Sequence, residues 1–360
     1  SGSVGGFAFS SFENLTGGAG SDQFLLTGDV LPIGTLDGGG GSDRLEVITN
    51  NAVDQIHLQA GQITINGTTF AYQNLDTIAL LTAGGLDLVE IDADTTAAAV
   101  TLDSGAEGAD VTVNLDPAAI TAITLLGDAD SDDRLFVVGS SAQDIVDIDG
   151  STISSAGVTV SLNGVEDLSV AGGAGEDIIT LTGAPVGNGI QLRGDADDDR
   201  IAVNFPFTAS SLLVDGGSGQ DDRLDVTGSD EADTVTLTAS QVQSTGQVAI
   251  DYTAFEQLEI DTAAGADTVT VGNTHSGRST VVTGSENDTV LVAATSGRLT
   301  VRTGAGSDTV DVQSIGAITS VELGAGGDQL NVSGDAPSNL GELSGIGALL
   351  ITSGGGDDAD

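Results

Sequence analysis

Gly304-Ala305-Gly306-Ser307-Asp308-Thr309-Val310-Asp311-Val312 and, one step later, Gly324-Ala325-Gly326-Gly327-Asp328-Gln329-Leu330-Asn331-Val332 decide how this chain is read. In both, a glycine-rich corner closes on aspartate, and the residues after it alternate apolar and polar, the period of a strand with one buried face. Glycine lets the corner backbone take positive φ, and aspartate can hydrogen-bond back into its own turn. Valine and threonine after the aspartate favour strand over helix. The residues two and four places past it are expected to point inward. The same corner recurs at 17–22, 38–43, 172–177 and 216–221, closing on Asp22, Asp43, Asp177 and Asp221.

The corner aspartates advance in short, even steps: Asp87, Asp110 and Asp133, then Asp177, Asp199 and Asp222, then Asp267, Asp288, Asp308 and Asp328. One coil is therefore about 22 residues. A longer period of about 90 residues relates Asp43, Asp133 and Asp222, and also Asp54, Asp144 and Asp233, and Asp87, Asp177 and Asp267. Recurrence at fixed spacing is the mark of stacked coils. The expected fold is all-β, a right-handed parallel β-solenoid (β-helix) running as one continuous rod through 1–360, with superrepeat units at about 1–86, 87–176, 177–266 and 267–360. Within each unit a stretch without the full corner, around 62–80, 158–170 and 248–260, carries a second phrase: Asn74-Leu75-Asp76, Glu166-Asp167-Leu168 and Glu256-Gln257-Leu258. At Asp110 the alternation of Val111, Val113 and Leu115 is shifted by one, which predicts a bulge or a slipped corner.

Composition narrows the chemistry. Acidic residues number 54 against 8 basic ones, all arginine, for a formal charge of -46. That balance argues against nucleic acid and anionic membranes as partners and points to cations. With no cysteine there is neither a disulfide framework nor a thiolate metal site, so a bound metal would have to use oxygen. No apolar run is long enough for membrane insertion. The start at Ser1 suggests a processed product or an excised segment, and exposed strand edges at its two ends would invite end-to-end self-association.

The corners at 17–22, 38–43, 172–177 and 216–221 resemble the glycine-aspartate nonapeptide of the RTX, or haemolysin-type, calcium-binding repeats of secreted bacterial proteins. That resemblance implies calcium held between successive coils by glycine-turn carbonyls and neighbouring carboxylates, as suits a hard cation wanting six to eight oxygens. The ligands it implies are Asp22, Asp43, Asp87, Asp177, Asp195, Asp197, Asp199, Asp221, Asp267, Asp288, Asp308 and Asp328. Asp128, Asp130, Asp132 and Asp133 form a second dense acidic cluster beside the one at 195–199. Arginine follows the corner in Asp43-Arg44, Asp133-Arg134, Asp199-Arg200 and Asp222-Arg223, where an ion pair is expected to replace a cation. The larger unit also resembles segments of very large bacterial surface and adhesin-like proteins.

Parallel β-helices also carry polysaccharide lyases and hydrolases, whose sites combine carboxylates with a basic or histidine partner and hold sugar on aromatic faces. This chain has two histidines, His57 and His275, and no tryptophan. The expectation is accordingly a non-catalytic, extracellular or cell-surface structural protein. It would be an acidic, calcium-stabilised solenoid serving as stalk or building block. The alternative is a subunit that assembles end to end into a filament or sheath.

Overall fold

The computed structural model describes residues 2–4, 7–9, 14–28, 34–92, 96–115, 120–128, 132–183, 189–338, 343–348 and 350–356. The chain is all-β and divides into two compact units, Ser1–Gly175 with Ala184–Ile190, and Glu176–Gly183 with Gln191–Asp360. In each unit the chain alternates between two mainly parallel sheets, a solenoid-like arrangement.

The second unit shows the rule most plainly. One of its sheets runs Arg200–Asn204, Arg223–Thr227, Gln257–Asp261, Arg278–Val282, Arg298–Arg302 and Thr319–Gly326, each parallel to the next. The other runs Thr234–Leu237, Thr268–Val271, Thr289–Val292, Thr309–Val312 and Gln329–Val332. Val269, Val290 and Val310 stand in one column across three strands, and Val271, Val292 and Val312 in another. All six are fully buried. These are the positions two and four past the corner aspartate, and each buried valine contributes about 1.5–3 kcal/mol of apolar transfer free energy.

Glycine is required at the corners because adjacent corners touch backbone to backbone. A Cβ on Gly304, whose φ is +87°, would sit 2.0 Å from the Gly284 carbonyl oxygen. The Ala305 amide donates to that same carbonyl at 3.0 Å. Coils can close to strand spacing at the corner only where no side chain intervenes.

The stretches without glycine corners fold as three-stranded antiparallel meanders set into the parallel sheets. Gln55–Gln59, Gln62–Ile65 and Thr68–Gln73 make the first, Ile145–Asp149, Thr152–Ser155 and Val158–Asn163 the second, and Thr234–Leu237, Gln241–Ser244 and Ile250–Thr253 the third. In the first two, the second turn is tight, at Asn66-Gly67 (φ 50° and 78°) and Ala156-Gly157 (φ 50° and 87°), positive at both positions as two-residue hairpin turns demand. Within the first unit the two meanders lie in opposite sheets. An even number of strands, six, separates them, so with the chain alternating between sheets the same place in the long repeat lands on the opposite sheet.

The irregularity at Asp110 has a simple form. Asp87 pairs with Ala109, so Ala109 and not Asp110 stands at the corner, and the ladder passes through in register without a bulge.

Candidate functional site

The corner aspartates turn inward and form hydrogen-bonded ladders from coil to coil. In the first unit the Asp22 amide donates to Asp43 Oδ1 at 2.8 Å and the Asp43 amide to Asp76 Oδ2 at 2.7 Å. On the facing sheet Asp54 donates to Asp87 Oδ1 at 2.7 Å, and further along Ala109 donates to Asp133 Oδ1 at 2.8 Å and Asp133 to Glu166 Oε2 at 2.9 Å. In the second unit the series Asp177, Asp199, Asp222, Glu256 repeats the contact at 2.8, 2.8 and 3.0 Å. The series Asp233, Asp267, Asp288, Asp308, Asp328 repeats it at 2.8 to 2.9 Å. Each carboxyl thus satisfies a strand-entry amide, which is worth about 1 kcal/mol or more when the acceptor is charged.

The ladder residues are almost wholly buried: Asp43, Asp54, Asp87, Asp177, Asp199, Asp222, Asp267, Asp288, Asp308 and Asp328 are all at 3 % exposure or less. The acids of the second sequence phrase, Asp76, Glu166 and Glu256, supply the final acceptor where a meander interrupts the run. Sequence reasoning saw that phrase and gave it no role.

Only one oxygen of most rungs is used. Oδ2 of Asp54, Asp87, Asp199, Asp288, Asp308 and Asp328 is buried without a donor. A threonine precedes several of these aspartates by five residues, but a hydroxyl has one proton to give. Thr82, Thr283 and Thr303 give theirs to backbone carbonyls of Ser104, Thr303 and Leu323. Thr262 instead turns its proton to Asp267 Oδ2, and Asp222 Oδ2 accepts the Gly219 amide at 3.0 Å, so in these rungs the second oxygen is satisfied. Burial therefore raises the acids, helped by neighbouring charge. Asp199 is pushed up to about 7 by desolvation, with Asp177, Asp222 and Asp197 adding repulsion. Asp288 is pushed up to about 6 by desolvation, with Asp308 and Asp267 adding repulsion. Asp87, Asp222, Asp267, Asp308 and Glu166 are raised as well, in each case chiefly by burial. Two ionised rungs at strand spacing repel by about 3 kcal/mol at an effective dielectric of ~20. A proton on Oδ2 relieves that repulsion, and in Asp87, Asp288 and Asp308 it gives the acid a hydrogen to donate to the oxygen of Thr82, Thr283 or Thr303.

The expected calcium ligands fall into two groups. Asp43, Asp87, Asp177, Asp199, Asp267, Asp288, Asp308 and Asp328 are ladder members, and Asp22 is a half-buried one whose Oδ2 also accepts the Gly18 amide at 2.6 Å. Asp195, Asp197 and Asp221 lie outside the ladder on the solvent side, with Asp195 and Asp197 at positive φ. Asp222 occupies the rung beside Asp221, whose carboxylate takes a hydrogen bond from Gln257 at 2.7 Å. Among the described residues the structure brings none of these acids together in a group of three ligating atoms. Of the second acidic cluster, Asp130 lies outside the described residues.

The arginines that follow the corner aspartates do not pair with them, whereas Arg193, before its corner, pairs with Asp195 at 2.5 Å. Arg134 reaches Asp110 on the neighbouring strand through two bonds of 2.6 and 2.7 Å, and Arg200 and Arg223 both reach Asp225 at 2.6 Å. Arg44 lies 3.5 Å from Glu46. The guanidinium and the corner carboxyl belong to adjacent residues of a strand and so point to opposite faces. Elsewhere on the outer surface His57, Glu90 and Asp92 converge. Among the described residues no helix is long and apolar enough to cross a membrane. No family model matches the chain, and no curated protein matches it.

Proposed function

We propose that this chain is a non-catalytic structural segment of a secreted or cell-surface bacterial structure. It is a right-handed parallel β-solenoid with coils of about 22 residues, an acidic stalk or building block stiffened by calcium. The observation that carries the reading is the carboxyl ladder. The same buried contact joins one coil to the next through both units, so cohesion is spread along the chain, as a load-carrying repeat requires. Calcium enters as the counter-ion of the outward corner acids Asp195, Asp197 and Asp221, on a chain whose formal charge is -46. An ion bound only by the stacked coils stabilises them by mass action.

The test is thermal unfolding by circular dichroism, with calcium and with chelator at matched high ionic strength. A calcium-specific rise in melting temperature supports the reading. Equal curves remove calcium from it. Small-angle scattering from the same sample then tests the structural role: an extended particle is expected, and a compact one would overturn the stalk. A concentration-dependent, open-ended increase in mass would point to the filament-forming subunit instead.

A further inference from the structure

We propose that His57, Glu90 and Asp92 form a binding site for a borderline divalent cation of the Zn2+ type, separate from the corner acids and independent of any calcium they take. The three side chains project from the outer face of neighbouring parallel strands of the first unit, His57 on Gln55–Gln59 and the two acids on Asp87–Asp92. His57 stands directly across from Glu90 in the strand register, and Asp92 follows two residues later on the same face. Their ligating atoms all lie within 4.8 Å of one another. His57 Nε2 is 3.0 Å from Asp92 Oδ2 and 4.0 Å from Glu90 Oε2. Ligands of a tetrahedral ion with bonds of ~2.0–2.1 Å stand about 3.3 Å apart, between those two separations. Glu90 is the most exposed of the three and is free to make the remaining adjustment.

A second set of contacts holds the acids in this pose. Asn114, on the next strand at Ala109–Asn114 and in register with Asp92, donates through Nδ2 to Glu90 Oε1 at 2.9 Å and to Asp92 Oδ1 at 2.8 Å. One amide thus occupies the outer oxygen of each carboxylate and leaves Oε2 and Oδ2 turned to the imidazole, the second-layer orientation that metal sites use. A neutral imidazole N–H can serve only one of the two acids, whereas a cation between the three groups satisfies both. The donor set selects the ion: one imidazole nitrogen with two carboxylate oxygens suits Zn2+, Cu2+ or Ni2+, and is a poor match for calcium, which prefers six to eight oxygens. Three protein ligands leave one position for water. A groove of about 650 Å³ adjoins the site through His57 and Glu90, bounded by Thr64 and Gly67 of the meander and by Leu88, Thr112 and Phe136.

Titration of the full chain with Zn2+ tests this, with calcium in large excess to occupy the general acidic surface and with the 15N resonances of the two imidazoles as the readout. One equivalent should bind and shift Nε2 of His57 while His275 stays unchanged. His57→Ala and His57→Gln should both abolish that equivalent. Asn114→Ala should weaken it roughly 10-fold or more while keeping the stoichiometry. Binding that survives both His57 substitutions, that calcium displaces, or that leaves the His57 resonance in place overturns the proposal. The melting curve of each variant without metal reports whether it is folded. Because none of these readouts involves the corner acids, a null calcium result and a null zinc result remain distinguishable.

Discussion

Stability should fall as pH rises from about 4 to about 8, and a single rung should account for a measurable part of the fall. Asp199 has a folded-state value of about 7 against an ordinary 3.8. In that window the folded chain holds a proton that the unfolded chain has released, so stability declines with pH. The contribution is fully present below 3.8 and is lost as pH passes through the folded value near 7. At ~1.4 kcal/mol per pH unit, this one carboxyl accounts for at most about 4 kcal/mol, and Asp288, with its value near 6, for at most about 3, part of each being repulsion shared with neighbouring rungs and reduced by solvent screening. Self-repulsion of the acidic surface acts in the same direction, so the measurement belongs at high salt and in chelator.

Asp199→Asn separates the rung from the surface. The asparagine oxygen can still accept the Asp177 amide now held at 2.8 Å, while the second atom becomes neutral at every pH. The variant should match the parent or fall slightly below it near pH 5, and exceed it by a few kcal/mol near pH 8, with a shallower slope between. Urea unfolding at a series of pH values reads both curves. A parent whose stability is flat or rising between pH 5 and 8, or a variant with the parent's slope, would refute the reasoning.

Other consequences are simpler. Gly304→Ala places a methyl 2.0 Å from the Gly284 carbonyl at positive φ and should cost about 3 kcal/mol or more, whereas Gly20→Ala, with open space around its Cβ, should be within about 0.5 kcal/mol of the parent; paired melting curves decide. Glu256→Ala leaves the buried Asp222 amide without its acceptor and should cost about 1–3 kcal/mol, and Glu256→Gln should recover most of it. Gly67→Val forces a β-branched residue into the φ 78° position of the meander turn and should cost about 1–2 kcal/mol, visible as faster hydrogen exchange across Gln62–Ile65.

The strands and their inward faces were legible because alternation after each aspartate is a local signal, and the burial of Val269 and Val271 follows it directly. The short spacing gave the stacking, since ladder partners such as Asp308 and Asp328 lie 20 residues apart. The meanders were not recognised, although Asn66-Gly67 between two apolar-alternating segments is a strong hairpin signal. A reading that expects every coil to be alike passes over the one turn that breaks the rule. The direction of the corner carboxyls was also out of reach. Asp308 reads identically whether it faces solvent or the amide of Asp288, because the choice depends on a neighbour one coil away. His57 lies one coil away from Glu90 and Asp92, and no motif spacing joins it to them.

Why the rungs are acids at all bears on how calcium would act. An asparagine would accept the same amide with no charge to bury, and Ala109 shows that a coil can do without an acceptor side chain at the corner. An aspartate costs repulsion between neighbouring rungs but can be neutralised, so it couples cohesion between coils to the proton and cation activity outside. Protons and calcium would then compete to relieve one charge. If calcium stabilises by relieving the ladder, its increment in melting temperature should be large near pH 8, shrink towards pH 5, and be reduced in Asp199→Asn. If calcium acts through Asp195, Asp197 and Asp221 alone, the increment in Asp199→Asn should equal the parent's at both pH values. The double comparison of pH and rung locates the ion's effect without requiring that the ion itself be seen.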